Sequence, residues 1–210
     1  MNIDFRRGQW LNRPATSAVS EHNLTITTDQ KTDFWRETHY GFTRDTGHFL
    51  GIATADEFTA TIRIQGEFRS LYDQAGLMVR IDEKRWVKTG VEFTDGQAFL
   101  STVVTDGKSD WSVSQPFKEL EDFYIRVTLS NGAMRIQASR DGSIWPLLRL
   151  APFPVADTYQ VGPTACTPER SGLVVRFSEF TINPATSKDL HDLCLLYTSR
   201  AHETKANLVC

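Results

Sequence analysis

Phe58-Thr-Ala-Thr-Ile-Arg-Ile-Gln65 alternates without a break: Phe58, Ala60, Ile62 and Ile64 are apolar, while Thr59, Thr61, Arg63 and Gln65 are polar. Successive side chains of a strand point to opposite faces, so this stretch buries one face and wets the other. A helix would repeat its apolar residues at a period near 3.6, which is not the pattern here. Phe123, Ile125, Val127 and Leu129 alternate in the same way with Tyr124, Arg126 and Thr128, and Met134, Ile136 and Ala138 do so with Arg135 and Gln137. Between such segments fall Asp95-Gly96, Asp106-Gly107, Asn131-Gly132 and Asp141-Gly142. These pairs tolerate positive φ and read as tight turns. Short strands punctuated roughly every ten residues describe an all-β jelly-roll sandwich of two antiparallel sheets.

No segment before residue 185 has an amphipathic helical pattern, and there is no internal repeat, so residues 1–193 read as a single β-sandwich domain. Leu24–Thr28 and Val174–Ile182 are expected as terminal strands lying near each other. Phe34–Gly51, rich in aromatics, His and Gly, reads as a long structured loop with short strands.

The 210 residues are 40% hydrophobic and carry a formal net charge of -3 with both signs interspersed. That excludes a basic nucleic-acid footprint, and the apolar runs are too short to span a bilayer, so no membrane partner is expected. Charges are not followed by an apolar stretch in Met1–Arg7, so no secretory signal is read there. Cys166, Cys194 and Cys210 form no disulfide framework and no zinc spacing, which makes the cytoplasm the simplest compartment. Cys166, in a β-like stretch, reads as a buried small residue.

The pattern breaks after about Leu193. Cys194-Leu-Leu-Tyr-Thr-Ser199 is the peptide that one frame of a common transposase-type sequencing adapter encodes, and Arg200–Cys210 fits its continuation after a single-base slip. Residues 194–210 are therefore expected to be a non-native tail and are set aside, as fusion scars are.

The richest chemistry lies in Tyr72-Asp-Gln-Ala-Gly-Leu-Met-Val-Arg80 and Trp86-Val-Lys-Thr-Gly-Val-Glu92, read as a hairpin. Alternation puts Ala75, Leu77, Val79 and Ile81 on a core face with Val87, Thr89, Val91 and Phe93. The other face collects Gly76, Met78, Arg80 and Asp82 with Trp86, Lys88, Gly90 and Glu92. One reading is a solvated face with charge pairs such as Arg80 with Glu92, each contributing little. The other is a polar groove, because guanidinium and carboxylate groups hydrogen-bond vicinal hydroxyls and indoles stack on sugars. Gln74, Ser101, Thr105, Asp110 and Trp111 add to the second reading. Trp35 and His39 would form the rim, Trp35 and Tyr40 either roofing the groove or plugging the sandwich end, while Phe34 and Phe42 read as plugs. His39 and His48 match no metal spacing and read as structural.

No strand carries paired carboxylates on its polar face, and there is no nucleophile elbow, phosphate loop or dinucleotide fingerprint. Glu92, aided by Asp110 or Asp82, is the one catalytic candidate. No cofactor or metal is expected, and no loop has the ligand density for calcium.

With these residues the chain resembles the domain-of-unknown-function family that contains the fungal regulation-of-enolase protein. The resemblance covers residues 5–183. It rests on Thr32-Asp-Phe-Trp-Arg-Glu-Thr-His-Tyr-Gly-Phe42, on Tyr72–Arg80, on Trp86–Glu92, on Ser109-Asp-Trp-Ser112 and on Ser139-x-Asp-Gly-x-x-Trp145. It implies a concanavalin A-like lectin/glucanase fold with a concave sheet resembling a glycan-binding face. The Glu-x-Asp-x-x-Glu signature of the superfamily's glucanases is absent.

The expectation is thus a non-catalytic binding module for a saccharide or small polar metabolite, using Trp35, His39, Gln74, Arg80, Trp86, Lys88, Glu92, Asp110 and Trp111. The alternatives are a glycoside-active enzyme built on Glu92 and a protein-interaction module.

Overall fold

A computed structural model describes residues 2–55, 57–114, 120–188 and 190. The expected tail, 194–210, and the end of the domain at 193 lie outside the described residues. A short 3-10 turn at Phe5–Arg7 precedes β1 (Gln9–Leu11), β2 (Thr16–Val19), β3 (Asn23–Thr27), β4 (Phe34–Arg36), β5 (Thr43–Asp45) and β6 (His48–Thr54). There follow β7 (Phe58–Gly66), β8 (Gln74–Arg80), β9 (Arg85–Thr94), β10 (Gln97–Asp106) and β11 (Lys108–Val113). The chain continues with β12 (Asp122–Ser130), β13 (Ala133–Ser139), β14 (Leu147–Pro152), β15 (Tyr159–Cys166) and β16 (Val174–Pro184).

Two seven-stranded sheets carry the fold, ordered β1-β6-β15-β8-β9-β10-β11 and β14-β13-β12-β7-β16-β3-β2. Neighbouring strands in both are antiparallel. The protein is an all-β sandwich, as its alternation predicts.

The register follows the apolar pattern. Phe123, Ile125, Val127 and Leu129 stand opposite Ile64, Ile62, Ala60 and Phe58, and all eight are buried between the sheets. A slip of one residue would turn both rows to water, so burial pins the pairing. From the other sheet Ala75, Leu77, Val79, Val87 and Val91 meet them in one core. Asp95-Gly96 and Asn131-Gly132, all four at positive φ, close two-residue hairpins between β9 and β10 and between β12 and β13. The terminal strands do meet: β16 pairs with β3, and Asn2 bridges to Thr181. Trp145 packs back on its own turn, its indole N–H donating to the Gly142 carbonyl at 3.0 Å.

The segment read as a loop is more ordered than that. It contains β6, a full strand beside β15, and the hairpin β4–β5, whose two strands pair only with each other. This hairpin lies over the outer face of the first sheet. That is why β8 is buried at every position, on both faces, where a simple sandwich strand would alternate.

Candidate functional site

Antiparallel pairing lays the outer face of the first sheet out in rows. Cys166, Gln74 and Glu92 stand side by side on β15, β8 and β9. Gly76, Gly90 and Ser101 form the next row. Met78, Lys88, Val103 and Trp111 form the third, and Arg80, Trp86, Thr105 and Ser109 the fourth.

The β4–β5 hairpin seals the fourth row. Phe34 packs on Trp86 with ring centroids 6.0 Å apart. With Trp35, Phe49, Met78 and Val103 they make a second apolar cluster separate from the main core. Polar ties fasten the hairpin down. Arg80 is bidentate to Asp45. The Arg36 backbone N–H donates to Ser109 Oγ at 2.9 Å and its Nε donates to the Gly107 carbonyl at 3.0 Å.

Beyond the edge of the hairpin, Gln74 and Glu92 of the first row and Lys88, Val103 and Trp111 of the third line a cavity of about 200 Å³. One water needs only roughly 10–15 Å³ of such space, so a small organic molecule can be held. Gln74, Lys88 and Glu92 form its floor, and Asp33, Trp35, Tyr40, Phe42, Tyr72, Val103, Trp111, Pro168 and Glu169 its walls. Around the mouth Tyr40, Phe42 and Trp111 are 46%, 37% and 38% exposed. Three large aromatics left partly open at one opening are unusual on a plain surface. Tyr40 stacks on Phe42, and its hydroxyl lies 3.4 Å from that of Tyr72 across the rim. Glu37, His39 and Gly41, all at positive φ, shape the tight bend that carries Tyr40 there.

The floor is a fixed polar network. Lys88 Nζ donates to Gln74 Oε1 at 2.7 Å and to Asp33 Oδ1 at 3.1 Å. Ser101 Oγ donates to Glu92 Oε2 at 3.0 Å and accepts from the Trp111 indole N–H at 3.1 Å. Burial raises the Glu92 carboxyl above its ordinary range, against the opposing pull of the Lys88 ammonium. Burial lowers Lys88, but the nearby Asp33 and Glu92 carboxylates outweigh it and the net direction is up. The Tyr72 hydroxyl is pushed up to about 12 by its hydrogen bond to Tyr40 and by burial. Cys166, buried as expected, donates from Sγ to Gln74 Oε1 at 3.3 Å, and burial pushes its thiol up to about 12.

Gly76 and Gly90 let the floor close. A Cβ at Gly76 would stand 2.0 Å from the Thr89 carbonyl oxygen, and one at Gly90 would stand 2.1 Å from that of Ala75. Above the pair a hollow of about 20 Å³, room for one water, adjoins the main cavity.

Of the residues selected from sequence, Trp35, Gln74, Lys88, Glu92 and Trp111 share the cavity. Four do not. Trp86 is fully buried under Phe34 and presents no ring face to a ligand. Arg80 is taken by Asp45 rather than Glu92, because cross-strand pairing sets Arg80 opposite Trp86 and Glu92 opposite Gln74. Asp110 points to the opposite face of β11 from Trp111 and pairs with Arg149 of the other sheet at 2.7 Å. His39 lies outside, on a neighbouring surface hollow, with its ring against Tyr40.

The suggested carboxylate partners of Glu92 also move away. Asp82 is held in the β8–β9 turn by Arg85 and the Lys84 backbone N–H. The acidic groups that do share the cavity, Asp33 and Glu169, come from loops that alternation cannot place. Phe42 is a wall residue and not a plug, whereas Phe34 is fully buried. His48 is structural: Nδ1 lies 2.7 Å from the Asn12 carbonyl while Nε2 accepts from the Asp29 N–H. Among the described residues no group of three or more His, Cys, Asp or Glu is arranged to hold a metal.

Fold and site together define a β-sandwich protein with a roofed polar cavity on the outer face of one sheet. More particularly, the chain belongs to the family described as Protein of unknown function (DUF1349), whose model matches residues 10–185. It is 55% identical over 192 residues to Regulation of enolase protein 1 of Saccharomyces cerevisiae, covering 91% of this chain and 97% of that one. A crystal structure of a functionally unknown protein from Saccharomyces cerevisiae superposes with a TM-score of 0.86 at 54% identity, over 88% of this chain and all of that one. The GH43 protein BlXynB of Bacillus licheniformis matches at a TM-score of 0.64 and 13% identity, over 86% of this chain but 38% of that one. The exoplasmic/lumenal domain of VIP36, in a Ca2+/Man3GlcNAc-bound form, matches at 0.52 and 6% identity, over 89% of this chain and 87% of that one. The last two likenesses concern the fold alone.

Proposed function

We propose that the protein is a non-catalytic binding module whose cavity takes one small hydroxylated ligand, a saccharide or a polar metabolite of similar size. The observation that carries this reading is the pairing of a fixed polar floor, Gln74, Lys88 and Glu92, with a wall of aromatic rings. A few placed polar groups within an apolar lining are what orients small molecules in pockets. Gln74, Asp33 and Glu92 would accept hydroxyl hydrogens, and Trp111 would stack on the ligand's apolar face. Two neighbours of this fold, the GH43 protein BlXynB and the Man3GlcNAc-bound domain of VIP36, lend support at the level of architecture only. Catalysis is the weaker reading, because Asp33 is committed to Lys88 and neither Asp82 nor Asp110 lies beside Glu92. Titration calorimetry with a panel of monosaccharides and sugar derivatives tests the proposal. Saturable heat that is lost in Trp111→Ala supports it, and no heat across the panel removes it.

A second reading, a module that binds a protein partner, is favoured by the regulatory name of the 55% identical yeast relative. The exposed Tyr40, Phe42 and Trp111 would then be the contact. Partner capture that a cavity-filling small molecule does not displace would distinguish this reading.

A further inference from the structure

The cavity's charge is one-sided. Its only ammonium among the described lining residues, Lys88, is already held by Asp33 Oδ1 at 3.1 Å and Gln74 Oε1 at 2.7 Å. Three carboxylates, Asp33, Glu92 and Glu169, face or rim the same space. The walls are aromatic, and the faces of aromatic rings carry negative partial charge. Trp35 and Tyr40 meet edge to face with centroids 5.6 Å apart, and Tyr40 continues onto Phe42 at 5.4 Å. Trp111 lines the same cavity and is tied to Glu92 through Ser101. A phosphate or carboxylate entering here would meet no uncommitted cation. A positive ligand would meet aromatic rings and a carboxylate at once.

Resting on the binding-module reading above, we infer that the cavity selects a small organic monocation, an amine on a hydroxylated frame, over neutral and anionic analogues of the same size. The Glu92 carboxylate is the charge partner, and the rings of Tyr40, Trp35 and Trp111 supply the cage. Burial raises the Glu92 carboxyl, so a cation that favours its ionised form displaces a proton on binding. The other charged or titratable groups facing Glu92 are Lys88, Asp33, Tyr72 and Cys166. Among these Lys88 alone opposes a cation, and Asp33 neutralises it.

The test is calorimetry on the full chain with glucosamine, glucose, glucose 6-phosphate and choline as probes at one pH below 7. Glucosamine is expected to bind about tenfold or more tightly than glucose, since a desolvated cation–aromatic contact is of that size. Glucose 6-phosphate is expected not to bind, and choline to bind in competition with glucosamine. Glu92→Gln should remove most of the preference, weakening glucosamine and choline far more than glucose. Should that variant fail to fold, choline affinity in the unaltered protein is expected to rise with pH as Glu92 ionises. Glucose binding as tightly as glucosamine, or glucose 6-phosphate binding more tightly than both, overturns the charge selection and leaves the binding module standing. No heat from any of the four overturns both.

Discussion

Arg80 grips Asp45 with two parallel hydrogen bonds, Nη1 to Oδ1 at 2.7 Å and Nη2 to Oδ2 at 2.8 Å. The pair joins β8 of the large sheet to β5 of the covering hairpin. With the Arg36 and Lys88–Asp33 contacts, it fastens the hairpin that divides one sheet face into a sealed half and an open half.

Removing Asp45 would leave the guanidinium, 10% exposed at the side chain, without its partner. A fully buried pair broken in this way costs roughly 3–5 kcal/mol and a surface pair roughly 0–1. Asp45 is 33% exposed, so Asp45→Ala should cost about 2 kcal/mol. Urea denaturation reads the midpoint. The hairpin should also loosen before the sheets do, as faster amide exchange in residues 34–45. Unchanged exchange there would mean that the apolar contacts alone hold the hairpin.

Trp86 and Trp111 lie on the same sheet face but should separate stability from binding. Trp86→Ala empties the sealed cluster and is expected to cost about 3–5 kcal/mol. Trp86→Phe should keep ligand affinity within about twofold, because the ring contacts no ligand. Trp111→Ala should change stability by less than about 1 kcal/mol, as expected for a partly exposed residue on an edge strand, while weakening ligand binding about tenfold or more. Paired melting curves and titrations check both.

Glu92 predicts a pH-dependent stability. Its folded value is raised above the ordinary 4.5, with burial as the main cause. The folded state therefore holds a proton that the unfolded chain releases more readily. That contribution is fully present below about pH 4.5 and is lost as pH rises through the folded value. Glu92→Gln abolishes this dependence. The variant should gain stability relative to the unaltered protein between pH 4 and pH 8. Denaturation midpoints across that range measure the difference, and a gap independent of pH would refute the raised value.

Cys166 should be chemically silent in the folded protein. Its thiol is pushed up to about 12 by burial, so almost no thiolate exists at pH 8, and the thiolate is the reactive form. Iodoacetamide labelling of the Cys166 peptide, followed by mass spectrometry, should be slow under native conditions and fast in denaturant. Rapid native labelling would show that the floor of the cavity opens readily.

Alternation alone determined the sandwich. Phe58 to Ile64 and Phe123 to Leu129 each carry a two-residue periodicity, a local property of the chain, and burial between the sheets then admits one register for the pair. The same rule placed Gln74, Lys88 and Glu92 on one face of the β8–β9 hairpin, which is why the floor of the site was legible. What alternation could not show is what lies over that face. Trp86 and Arg80 share the face with Lys88 but sit beneath the β4–β5 hairpin, whose docking depends on contacts between residues far apart in sequence, such as Arg80 with Asp45. Asp110 and Trp111 are adjacent in sequence and therefore opposed across the strand, so only one of them can reach the cavity. Asp33, Tyr72 and Glu169 arrive from loops that carry no periodicity, and tertiary packing alone brings them to the rim. Periodicity assigns a side chain to a face; only the folded chain decides whether that face is covered, open or shared.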